Sequence, residues 1–359
     1  MGDGRTTGII KYTRPYIPGS VIRGSIGFLL KRVSCRLKDG EKHGEGEECI
    51  YHQLIEDENG GQANAFFRYA YPIHIGCGGI FYPTPKTISV CRNPQCNYII
   101  DGFSPPLECP QCGRTLRPGP RYVCSKCGKG AELPVSTFRV TMTSINRDNN
   151  TASYITDSEG ERRGTLHTLE LIEAGAQFKV QVVLNPDVEG HDRLMARILE
   201  QALSDEGVGA AKSRGLGKLR TSSITVTKVT PEIIRKRSDD LGDQLVMRLL
   251  SPMVVKKGEP LIVETLMEAA RRAYSQVFRR GKPSLKEPVF KTERFQFTTY
   301  GGWSLRENRR RSLSQAIEPG STYHLCSVDG ELREALASLE QCYAIGGFKA
   351  HGCGQILLS

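Results

Sequence analysis

Gly207-Val-Gly-Ala-Ala-Lys-Ser-Arg-Gly-Leu-Gly-Lys-Leu219 returns without a gap as Ala344-Ile-Gly-Gly-Phe-Lys-Ala-His-Gly-Cys-Gly-Gln-Ile356. Gly209 pairs with Gly346, Lys212 with Lys349, Arg214 with His351, Gly215 with Gly352 and Gly217 with Gly354, and Gly347 adds one more glycine to the second copy. Two copies of one loop imply two copies of one domain. Each copy enters an apolar run, Leu219 or Ile356-Leu357-Leu358, of the kind that forms a strand. Glycine permits positive φ and close approach of another backbone. N–H groups exposed beside cations then grip a polyanion. The plainer alternative is a pair of hairpin turns.

Composition points the same way. The 359 residues hold 49 Lys+Arg against 39 Asp+Glu, a formal net charge of +10. That balance favours an anionic partner such as nucleic acid where it clusters. It clusters at Arg271-Arg272, Arg279-Arg280-Gly-Lys282 and Arg306 to Arg311, although solvated charge is the usual fate of such runs. No apolar run of transmembrane length and no signal peptide is present, so a cytoplasmic protein without a membrane partner is expected.

Twelve cysteines in such a chain read as metal ligands rather than disulfides. From Pro83 to Pro134 the chain is rich in Pro, Gly and Cys, with Cys91-x4-Cys96, Cys109-Pro-Gln-Cys112-Gly and Cys124-Ser-Lys-Cys127-Gly. A C-x2-C-Gly turn aims N–H groups at thiolates, and two such turns make a tetrahedral zinc site. Cys109, Cys112, Cys124 and Cys127 have the cleanest spacing, and Cys91 and Cys96 can pair with either turn. His74-Ile-Gly-Cys77 has ligand-like spacing too, which would give eight ligands and two metals. Zinc is expected to be structural here, because no carboxylate is placed to work on a bound water.

The remaining chain alternates strands and single helices. Pro18-Gly19-Ser20 supplies a turn and an N-cap for a helix from about Val21, whose N-terminus is a natural phosphate site. Residues 36–64 read as a loop. Strands are expected at Phe66–Pro72, Thr137–Thr143, Ala152–Ile155, Thr165–Leu171, Gln177–Leu184 and through Thr225–Thr227, with a helix over His191–Leu203. A second set follows: strand Gln244–Leu250, helix Leu261–Phe278, strands Glu293–Tyr300 and Ser321–Cys326, and helix Gly330–Gln341. The interleaving predicts an α+β protein of two ferredoxin-like (RRM-like) domains, 1–228 with a zinc-ribbon-like insertion at about 83–134, and 240–359.

With Ile17-Pro-Gly-Ser-x-x-Arg-Gly24, the two Gly-rich loops, Gly301-Gly-Trp303, Pro319-Gly-Ser-x-Tyr323 and Tyr71-Pro72 on the page, the chain resembles the RAMP superfamily. It looks most like the two-domain RAMP subunit of type III-D CRISPR complexes. The resemblance implies a non-catalytic subunit that binds the guide RNA (crRNA) and caps its repeat-derived 5′ handle, with other RAMP subunits as partners and target RNA met indirectly. Carried over, Ser20, Arg23, Lys212, Arg214, Lys349 and His351 contact RNA phosphates, and Lys218 joins them at the end of the first loop. One departure is that little more than Gly8-Ile-Ile-Lys-Tyr12 precedes the motif as a first strand. Either the start is truncated or another chain supplies the strand.

The competing reading is an endoribonuclease, cutting target RNA or processing guides. It would need a histidine base near a Gly-rich loop, His167 or His351, or an aspartate on the loop after the first helix, Asp39 or Asp57. A third is an RNA-independent scaffold.

Overall fold

The computed structural model describes all residues except 1, 8, 38–40, 42–48, 57–62, 157–159, 189, 256–262, 282 and 305–308. Asp39 and Asp57 lie outside the described residues. The fold is a mixed α/β one, with five α-helices among the described residues: α1 (Gly19–Ser34), α2 (Asp192–Gln201), α3 (Pro231–Asp239), α4 (Val263–Phe278) and α5 (Gly330–Cys342).

The C-terminal half is the more regular. Strands Leu245–Leu249, Val289–Arg294, Thr322–Cys326 and Ile356–Leu358 form one sheet in the order fourth, first, third, second. Every neighbour is antiparallel, and α4 and α5 supply the crossovers. Leu245, Met247 and Leu249 alternate into the core, against Leu266, Met267, Ala270 and Ala273 of α4 and Leu332, Leu336 and Leu339 of α5. Asp329 caps α5, accepting from the Leu332 N–H at 2.8 Å. The strand expected over Glu293–Tyr300 is in fact two. Val289–Arg294 stays in this sheet, whereas Phe297–Tyr300 pairs with Ser314–Ile317 in a separate ribbon that also takes Met253–Val254.

In the N-terminal half, Gly2–Thr7, Ile10–Thr13, His167–Ile172 and Thr137–Met142 lie side by side in that order. Ile10–Thr13 runs parallel to His167–Ile172, so the short stretch before the Ile17-Pro-Gly-Ser motif does enter a sheet of its own chain. Phe178–Lys179 pairs with Tyr71–Pro72, and Val182–Leu184 with Ala65–Phe67. Ile22, Ile26, Leu29 and Leu30 of α1 pack on Met195 and Ile198 of α2 and on Phe67.

Three local expectations need correction. The loop over 36–64 contains a helical stretch at 50–56, its end a π-turn at His52–Glu56, because Leu54 and Ile55 bury against α1. Residues 218–230 form no strand; Ile224 and Val226 have the right propensity, but no strand offers them a ladder and both are exposed. The cap of α1 is Pro18 rather than Ser20, and the helix begins at Gly19. A Cβ at Gly19 would lie 1.7 Å from the Phe67 carbonyl oxygen and 2.6 Å from that of His351, so this glycine is the point where three segments of backbone meet.

Candidate functional site

The repeated sequence folds as a repeated backbone. Gly209, Ala211, Gly215 and Gly217 have φ of 86°, 57°, 78° and 79°, and Gly346, Phe348, Gly352 and Gly354 have 77°, 53°, 83° and 74°. Between them sit two matching 3-10 turns, Lys212–Arg214 and Lys349–His351. The Val208 N–H donates to the Gly217 carbonyl at 2.8 Å, as Ile345 does to Gly354 at 3.0 Å. A Cβ at Gly217 would stand 1.9 Å from the Val208 oxygen, and one at Gly354 would stand 1.8 Å from that of Ile345. Only glycine closes either loop.

Both loops land on α1. Ser25 Oγ lies 2.9 Å from both the Ala202 and the Gly207 carbonyl oxygens and shares its one proton between them, fastening the root of the first loop to the middle of the helix. Lys212 Nζ then lies 5.9 Å from the Phe28 ring centroid, and Arg32 sits at 5.8 Å from the same ring. The second loop abuts the helix start at Gly19. With 1.5 Å of rise per residue, Gly19 and Phe28 are about 14 Å apart along the axis.

The predicted RNA contacts divide accordingly. Arg214 and Lys218 are exposed, and Lys212 is half-buried on the same loop. His351 is only 3% exposed. Its Nδ1 lies 3.2 Å from Tyr300 Oη, and Ser20 and Cys353 meet the same hydroxyl. Burial, with Cys353 beside it, pushes the Tyr300 phenol well above its ordinary range. His351 is thus buried at the junction between the two halves, with the half-buried Ser20 beside it. Arg23 donates to the Ile55 carbonyl, and Lys349 Nζ donates to the Gly346 carbonyl at 2.8 Å. Both hold backbone in place. Phe28 and Phe348 are 51% and 39% exposed, a placement sequence could not give, since nothing in it separates an outward phenylalanine from a core one.

The cysteines form no disulfide; instead, eight ligand-type residues form two clusters, His74/Cys77/Cys124/Cys127 and Cys91/Cys96/Cys109/Cys112. The two C-x2-C turns therefore belong to different clusters, which corrects the expectation that they share one. The strand pairing explains this. Tyr122–Cys124 pairs with Phe81–Pro83, just after His74 and Cys77, while Ile88–Cys91 pairs with Leu116–Pro118, just after Cys112. His74-x2-Cys77-Gly78 proves to be a third turn of the same kind. Gly78, Gly113 and Gly128 have φ of 71°, 69° and 70°, and their N–H groups donate to His74, Cys109 and Cys124 at 2.8, 2.8 and 3.0 Å. Sulfur atoms of Cys77 and Cys124 are 3.4 Å apart, those of Cys91 and Cys112 3.4 Å, and those of Cys96 and Cys109 3.7 Å. His74 Nδ1 is 3.2 Å from Cys77 Sγ and 3.3 Å from Cys127 Sγ. Around a tetrahedral zinc ion, thiolates at about 2.3 Å and an imidazole nitrogen at about 2.0–2.1 Å stand roughly 3.5–3.8 Å from one another, so the four-thiolate cluster and the three-thiolate, one-histidine cluster both fit a tetrahedral metal.

The cysteine-rich segment also touches the C-terminal half. Lys86 N–H donates to the Gly320 carbonyl at 2.8 Å, and Lys86 Nζ pairs with Glu318 at 2.7 Å. Arg294 Nε donates to the Phe103 carbonyl at 2.7 Å, and the Phe103 and His324 rings stack 5.8 Å apart.

The family model of the RAMP superfamily matches residues 1–220, and the chain belongs to that superfamily. No curated protein matches it by sequence. Among solved structures it is similar to a chain of the type III-B Cmr-beta complex bound to cognate target RNA, at 10% identity over 90% of this chain and 80% of that one, with a TM-score of 0.40. It is similar to Thermus thermophilus Cas6 in its product complex, at 10% identity over 97% and 95%, with a TM-score of 0.43. A third is a RAMP protein binding different RNA substrates, at 13% identity over 62% and 79%, with a TM-score of 0.27. Among the described residues no helix is long and apolar enough to cross a membrane.

Proposed function

We propose that this chain is a non-catalytic, guide-RNA-binding subunit of a type III CRISPR interference complex that caps the repeat-derived 5′ end of the guide. The observation that carries the reading is the duplicated loop: one backbone, built twice, seated at two places on α1 and bearing cations. Arg214 and Lys218, with Lys212 behind them, supply phosphate contacts from the first loop. Membership of the RAMP superfamily supplies the CRISPR context. A ferredoxin-like unit over 240–359 fits the fourth-first-third-second strand order of the C-terminal sheet, and the repeated loop is the ground for reading 1–228 as a second such unit. Zinc in both clusters is structural, holding a segment with few apolar side chains of its own.

The endoribonuclease reading gains one observation and loses on another. His351 does have a tyrosine partner, yet His351 at 3% and Tyr300 at 8% exposure are closed to a phosphodiester. His167 Nδ1 lies 2.9 Å from the Thr165 carbonyl oxygen, a contact that orients the ring without using Nε2. The test is to co-express the chain with a repeat-bearing guide transcript and its neighbouring subunits, crosslink, and map the nucleotides reached. Crosslinks confined to the repeat-derived 5′ end are expected. Crosslinks spread along the spacer, or loss of a specific target cut in Asp39→Ala or Asp57→Ala, would refute the capping role.

A further inference from the structure

Phe348 stands out because its backbone and its side chain make opposite demands. The loop requires a left-handed residue at this position, since its counterpart Ala211 has φ of 57° and Phe348 has 53°. Alanine fulfils that requirement in the first loop, so the turn itself has no need of an aromatic ring. A bulky residue with positive φ is an outlier, and such strain persists where the surroundings or a ligand make use of it. The ring is not a core plug either: Ala350, His351 and Cys353 around it are buried, whereas Phe348 is 39% exposed.

What surrounds the ring is suited to an unpaired base. The His351 ring lies 5.4 Å away at an interplanar angle of 28° and Tyr300 at 5.3 Å, so buried partners hold the phenyl group in a fixed plane. The Arg311 guanidinium carbon is 6.0 Å from the ring centroid, and Arg309 and Arg310 continue outward as an exposed strand paired with Trp303 and Ser304. A rigid aromatic face beside a row of arginines is how single-stranded nucleic acid is held without base-edge readout: rings stack the bases and cations follow the phosphates. We infer that Phe348 is a stacking platform for one unpaired nucleobase of the bound RNA, with Arg311 and its neighbours on the adjoining phosphates. The inference rests on the RNA-binding reading and adds to it a residue and a mode of contact. Phe28, beside the first loop, has no such backbone strain and is not part of it.

The experiment uses the full chain and a labelled single-stranded oligoribonucleotide of the repeat-derived sequence, alongside a series in which single positions are made abasic. Wild type is expected to lose affinity sharply at one abasic position. Phe348→Ala and Phe348→Gly should bind the intact RNA roughly 5- to 160-fold more weakly, the range of one stacked base, and should no longer sense that position. Phe348→Tyr should restore both. The glycine variant guards against misfolding from the turn, because glycine suits its left-handed backbone, and its melting temperature, set beside that of the alanine variant, separates lost packing from a misfolded loop. If the alanine and glycine variants match wild type and keep the abasic penalty, the inference is wrong. Unchanged RNA binding with lost capture of a neighbouring subunit would also overturn it, assigning Phe348 to a protein contact. Failure of wild type to bind RNA even at low salt would instead defeat the RNA-binding reading, and this inference with it.

Discussion

Gly215 and Gly352 occupy the same place in the two loops, with φ of 78° and 83°, but a Cβ would meet different surroundings. At Gly215 nothing lies within 4 Å; at Gly352 the added carbon would stand 2.3 Å from the Phe67 carbonyl oxygen and 3.0 Å from Tyr69 Cδ1. Replacing either by alanine carries the same left-handed penalty, about 1–2 kcal/mol. Gly352→Ala adds the displacement of backbone that it touches, about 1–3 kcal/mol by analogy with overpacked cores. At about 2–4 °C per kcal/mol for a unit of 150–250 residues, Gly215→Ala should melt roughly 3–6 °C below wild type. Gly352→Ala should fall to about twice that depth. Differential scanning calorimetry of the two variants, with proteolysis between residues 229 and 245 as a second readout, makes the comparison. Since conformational strain cancels between the pair, equal shifts would refute the claim that the second loop seats against the N-terminal half.

Purified protein should release two zinc ions per chain on denaturation; Cys77→Ser should lower the count to one, as should Cys109→Ser, and a single ion in wild type would contradict the two-cluster assignment. Glu340, 6% exposed, accepts from Arg237 Nε at 2.7 Å, Arg237 Nη2 at 3.1 Å and the Leu358 N–H at 2.7 Å. Arg237→Ala should destabilise by roughly 2 kcal/mol in urea unfolding, at the low side of a buried pair because the guanidinium is partly open to water. Paired substitution of Arg214 and Lys218 by alanine should weaken RNA binding and reduce its salt slope by roughly 2, which titration at several salt concentrations would read.

The duplicated loop was legible because glycine at a positive-φ position leaves a fixed mark in sequence, and Gly209, Gly215 and Gly217 recur at identical spacing. Cysteine ligands were legible for the same reason, but their grouping was not. Cys112 and Cys124 are close along the chain, and only the ladder that sets Cys124 beside Phe81 sends them to separate clusters. Basic residues were the least legible. Lys212 and Lys349 are equivalent by position, yet one packs over Phe28 while the other turns back to the Gly346 carbonyl. That choice depends on what each loop docks against, which is a tertiary fact. The strand expected at Thr225–Thr227 failed similarly, as β-branched residues state a preference that a missing neighbour leaves unmet.

The bridge from Lys86 and Phe103 to Gly320 and Arg294 bears on how the protein is made. Residues 74–127 leave the ribosome well ahead of the sheet they later brace, whose strands begin at Leu245. If, as proposed, zinc sets that segment, the later-emerging half would meet a finished surface rather than a fluctuating one. Cells short of zinc should therefore accumulate chains whose fault lies in the half without a metal cluster among its described residues: a sheet synthesised correctly, with nothing firm to close upon.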